Sequence, residues 1–125
     1  MRKLTKDDVD EFGKLEAHIE ACKSEFSTLS KAKPDVPLNK FKIGIINQYL
    51  GRVNKLIGTK HYPIAGFEEF DEDSLPTNSD VVMVLTNYSA ALETWRSANL
   101  KKELYSWKWN IEDADITTDL PARPR

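Results

Sequence analysis

The stretch Phe12-Gly-Lys-Leu15-Glu-Ala-His-Ile19-Glu-Ala-Cys22-Lys-Ser-Glu-Phe26-Ser-Thr-Leu29 decides the fold. Its apolar residues are spaced 3, 4, 3, 4, 3, and a second stretch repeats the series with Val81, Val84, Tyr88, Ala91, Trp95 and Ala98. A helix advances about 100° per residue, so each set falls on one stripe. Such a stripe must be covered by another helix, in the same chain or in a partner. The spacing therefore predicts an all-α packing protein: a three-helix antiparallel, up–down–up bundle with a short fourth segment at the C-terminal end.

Working outward, the first helix is expected over Lys6–Ser30. Thr5 and Asp8 resemble a capping box, and Asp7, Asp8, Asp10 and Glu11 suit the positive end of the helix dipole. Pro34-Asp-Val-Pro37 stops it and turns the chain. A second helix follows over Leu38–Ile57, with Gly58 as its C-terminal cap. Its broad apolar arc, from Ile45 to Ile57, places it centrally between two neighbours.

Residues 59–78 read as a long loop, pinned by Phe67, Phe70 and Leu75, with a helical turn at 67–72. The third helix is expected to be capped by Asn78 or Ser79, with Asp80 in its first turn, and loses its phase at Asn99. Residues 104–111 fit two periods: Leu104, Trp107 and Ile111 suit a helix, and Tyr105, Trp107, Trp109 and Ile111 alternate as in a strand. We expect a helical turn or two that becomes extended near Trp107. Residues 1–111 form the bundle domain in this reading, and 112–125 a loosely ordered tail ending Pro121-Ala-Arg-Pro124-Arg125.

Composition bounds the function. With 125 residues, 40% hydrophobic and 30% charged, the chain has the make-up of a soluble domain that needs no metal or disulfide to fold. One cysteine and an acidic N-terminal stretch favour the cytoplasm, and no apolar run is long enough for a membrane span. Net charge is −2, unevenly spread: residues 34–60 carry five bases and one acid, residues 61–80 six acids and no Lys or Arg. The simplest use is internal, with the acidic loop lying against the basic second helix.

Chemistry-bearing motifs are scarce. No glycine-rich phosphate loop, nucleophile elbow or HExxH is present. His18 and Cys22 lie one turn apart, but a structural zinc site needs four ligands and the chain has no second cysteine. The acids Glu68–Asp73 lack the spacing and central glycine of a calcium loop. No cofactor or metal is implied, and an enzyme centred on His61 is the weakest reading.

Two clusters stand out as partner-binding candidates. On the second helix Gly44, Gly51 and Gly58 recur every seven residues, with Asn47, Asn54 and Lys55 between them. Interior glycines cost about 1 kcal/mol each relative to Ala, and they allow close backbone approach. The other cluster is Tyr105, Trp107 and Trp109, interleaved with lysines. The reading these favour is a non-catalytic helical protein–protein interaction module whose partner is another protein or, by self-association, a second copy of itself. The alternative is a nucleic-acid-binding accessory protein that uses Lys40, Arg52, Lys55 and Lys60 with the aromatic segment.

Overall fold

The computed structural model describes residues 3–122. The chain is mostly helical, with a small three-stranded antiparallel sheet, so the all-α expectation is corrected in part. The helices are α1 (Lys6–Ala32), α2 (Lys40–Ile57) and α3 (Asn78–Ala98). The strands are β1 (Leu100–Lys102), β2 (Trp107–Trp109) and β3 (Thr117–Thr118).

Both long repeats are helical, and their ends follow from capping. Thr5 and Asp8 form the expected capping box on α1. On α3 the cap lies one residue earlier than expected, at Thr77, which forms a reciprocal box with Asp80. Asn39 caps α2 by accepting from the Lys42 N–H at 2.9 Å. The stripes meet in one core: Phe12, Leu15, Ile19 and Phe26 of α1 are buried with Ile43, Leu50 and Val53 of α2 and Val81, Tyr88 and Leu92 of α3. Toward the far end of the first repeat burial fades, with Cys22 half-buried and Leu29 exposed.

Helix direction departs from the up–down–up order. Glu11 of α1 pairs with Arg52 of α2, and His18 stacks on Tyr49, so these two helices run antiparallel. Phe12 stacks on Trp95, and the Lys33 carbonyl accepts from Asn78 Nδ2, so α1 and α3 are also antiparallel. Helices α2 and α3 therefore run the same way. Their starts are joined by the Leu38 N–H, which donates to the Pro76 carbonyl at 2.9 Å, and their ends by neighbouring Leu56 and Trp95. Parallel neighbours require a return crossing. The 18 residues of α2 span about 27 Å, and the long segment 58–77 covers that distance back.

The segment after α3 is extended, with no helical turn. Strand order is β1-β2-β3, with Leu100 opposite Trp109 and Trp107 opposite Thr118. The alternating apolar pattern prevails because it sends Trp109 inward, against Phe12 at 5.2 Å and Trp95 at 5.8 Å. Residues 112–122, expected to lie loosely, are tied down by β3 and by one arginine. Arg96, 7% exposed, donates to Thr118 Oγ1 and the Asp119 carbonyl at 3.0 Å, and to the Leu120 carbonyl at 3.1 Å. Its other face grips Glu93 at 2.7 and 2.8 Å. The second proline of the terminal PxxP lies outside the described residues.

Candidate interaction surface

The two asparagines on the polar face of α2 are engaged by their own chain. Asn47 Nδ2 donates to the Phe70 carbonyl, and the Phe70 N–H donates back to Asn47 Oδ1, each at 2.9 Å. One turn or two further along, Asn54 Nδ2 donates to the Glu68 carbonyl at 2.9 Å, and Tyr88 Oη donates to Asn54 Oδ1 at 2.9 Å. Seven-residue spacing of the two asparagines suits this use, because it keeps both amides on the face that meets the return segment. Asn54 is only 7% exposed. Burial pushes the Tyr88 hydroxyl pKa up, and the bond to Asn54 offsets part of that rise.

The glycines of that face behave differently. A Cβ at Gly44 would meet the Glu72 carboxylate at 4.0 Å, ordinary contact, and one at Gly51 would meet nothing within 4 Å. Only Gly58 has a backbone reason, its φ of 81°. Gly44 and Asn47 form one wall of an open groove whose other wall is Glu69–Asp73. The acidic loop does lie along the basic helix, and Lys40 pairs with Asp73 at 3.6 Å. Phe70 is buried and Phe67 packs beside it at 5.2 Å, but Leu75 is exposed and the helical turn falls later, at Glu72–Ser74.

The basic residues named for nucleic acid are dispersed. Arg52 makes a bidentate pair with Glu11 at 3.0 and 2.7 Å, and that bond holds the Glu11 carboxyl below its ordinary pKa. Lys55 and Lys60 lie at the other end of α2 from Lys40. Lys108 is engaged by Asp115 at 3.0 Å and Lys101 lies 3.9 Å from Glu103.

The aromatic triplet is split by the hairpin. Trp109 is 4% exposed, Trp107 is half-buried, and Tyr105 at the turn is 98% exposed. Leu104 beside it is 89% exposed. The turn is itself well formed, since the Glu103 N–H donates to the Ser106 carbonyl at 2.9 Å. A leucine and a tyrosine thus project from a fixed frame. Sequence reasoning missed Leu104 here because it was assigned to a helix stripe.

His18, one of the two possible metal ligands on α1, stacks on the Tyr49 ring at 4.7 Å, and burial pushes the Cys22 thiol pKa up. Among the described residues no helix is long and apolar enough to cross a membrane. No protein-family model matches the chain, and neither the curated proteins nor the solved structures yield a match.

Proposed function

We propose that this chain is a non-catalytic interaction module that engages another protein, its own second copy included, through the hairpin turn 103–106. The observation that carries the reading is the pair Leu104 and Tyr105, almost wholly exposed on a turn whose backbone is held by the strand ladder. Large apolar and aromatic side chains on a rigid support are the usual anchors of protein interfaces, and Tyr is enriched among residues that dominate binding energy. The lysines Lys101 and Lys102 flank the turn and supply a polar rim. A cytoplasmic location belongs to the same proposal and rests on the single cysteine.

The nucleic-acid alternative has less support, because Lys40 and Arg52 already have acidic partners. Sedimentation of the wild type over a wide concentration range, and affinity capture from the native host, test the proposal against a Leu104→Ser/Tyr105→Ser variant. Mass that rises with concentration, or a captured protein, with loss of either in the variant, is the expected result. Identical behaviour of the two proteins in both assays would sink it. Oligonucleotide binding that falls steeply with salt would put the alternative in its place.

A further inference from the structure

The bundle end formed by the C-termini of α2 and α3 holds a pocket of about 430 Å³, a size typical of small-molecule sites. Its floor is apolar: Leu4, Leu56, Ile57 and the indole of Trp95. Its rim carries Lys55, Lys60 and His61, and no carboxylate lines it. The backbone builds this rim deliberately. Gly58 at a φ of 81° reverses the chain, and the His61 N–H donates to the Gly58 carbonyl at 3.0 Å, folding Lys60 and His61 back over the helix end. Among the described residues neither lysine forms an ion pair within 4 Å, and Glu11, which lines an adjoining cleft with Lys55, is bonded to Arg52.

From this we infer that the pocket binds a small organic anion with an apolar body, its rings or chain on the Trp95 floor and its carboxylate among Lys55, Lys60 and His61. Imidazole offers a donor in either protonation state, and each ammonium offers three. Several carbonyls at these helix ends are already satisfied: Asn54 by the Gly58 N–H, Trp95 by Asn99 Nδ2 and Arg96 by the Asn99 N–H. The bases are therefore not all needed to cap them. The inference stands apart from the hairpin proposal, since it uses none of residues 100–109.

The test is an NMR titration of the full chain with naphthalene-2-carboxylate, compared with the neutral naphthalene-2-carboxamide. Saturable shifts confined to Leu4, residues 55–61 and residues 95–99 are expected. The amide should bind about fivefold more weakly or worse, the scale of one lost surface charge contact. A Lys55→Gln/Lys60→Gln variant should reduce the carboxylate to the affinity of the amide, and Lys42→Gln, at the opposite end of α2, should leave it unaltered. Scattered or non-saturating shifts would overturn the inference. So would a double variant that melts at lower temperature but binds with wild-type affinity, because the bases would then serve only the helix C-termini.

Discussion

Two irregular segments meet the bundle in opposite ways. The return segment 58–77 is held by side chains reaching out from the helices: Asn47 and Asn54 of α2 grip the backbone of Phe70 and Glu68, and Tyr88 of α3 completes the chain of bonds. The hairpin 100–109 is held by its own ladder, with Leu100 and Trp109 buried in the core and Trp107 packed half-buried against it. The first arrangement commits the amides of Asn47 and Asn54 to the chain's own backbone. The second leaves a whole turn in solvent. A polar cluster with regular spacing is thus as consistent with internal use as with recognition, and burial is what separates the two.

The comparison is broken most severely at Trp109. Its ring fills the space between Phe12 and Trp95, so Trp109→Ala should cost about 3–5 kcal/mol in urea unfolding. A cost near zero would mean that the whole hairpin, and not just its turn, stands off the bundle.

Next in size is the latch on the last strand. Arg96→Ala removes every bond that residues 118–120 make to its guanidinium and leaves Glu93 partly buried without its cation. A loss of about 2–4 kcal/mol is expected, with faster amide exchange at residues 116–122. Burial pushes the Glu93 carboxyl up, but bonds from Arg96, the Ala122 N–H and Ser97 outweigh it, so its net pKa lies below the ordinary 4.5. A depressed carboxylate contributes stability above its unfolded-state pKa and loses it as pH falls through the folded one. Acid titration of stability should therefore show a decline setting in below about pH 4.5 that flattens in Glu93→Gln.

Asn54→Ala tests the return segment. It strands the buried Tyr88 hydroxyl and the Glu68 carbonyl, and about 2–3 kcal/mol should be lost. Asn47→Ala, nearer the surface, should cost about 1–2 kcal/mol. Equal and negligible costs would show that the two amides do not hold the segment.

What the sequence disclosed follows the range of the interactions. Helices α1 and α3 were legible from period and caps, because both act within a few residues. Asn99 marked the end of α3 by breaking phase, and it is the C-cap. The up–down–up expectation sets α3 antiparallel to α2, although the length of residues 58–77 held the clue to a parallel pair. Short connections join antiparallel neighbours, and one long enough to retrace α2 allows a parallel pair. Asn47 and Asn54 were conspicuous, but the backbone groups they bind lie 23 and 14 residues away, which no local pattern specifies. The strand period of Tyr105, Trp107 and Trp109 was visible too. What it lacked was its partner, since three residues at Leu100–Lys102 are too few to show a period.

Glycines supply a smaller, favourable effect. Gly51 sits inside α2 with open space where a Cβ would stand, so Gly51→Ala should stabilise by about 0.5–1 kcal/mol. Gly13 of α1 is equally open and should respond alike. If Gly51→Ala also weakened association, the α2 face would be a contact surface after all, beside the segment that already covers part of it.

The smallest stability effect belongs to the turn, and it sharpens the comparison most. Leu104 and Tyr105 stand outside the core and lie in solvent, so Leu104→Ser/Tyr105→Ser should change unfolding by less than about 0.5 kcal/mol. The ladder pairs Lys102 with Trp107 and the Glu103 N–H with Ser106, none of which depends on the two side chains. Folding and interaction are thereby separable at this one place. Thermal melts of the double variant that overlay the wild type, together with lost association in sedimentation, would assign the turn to binding. A drop in melting temperature comparable to that of Trp109→Ala would instead show that Leu104 and Tyr105 fold back onto the sheet, and the exposed turn would no longer be available to a partner.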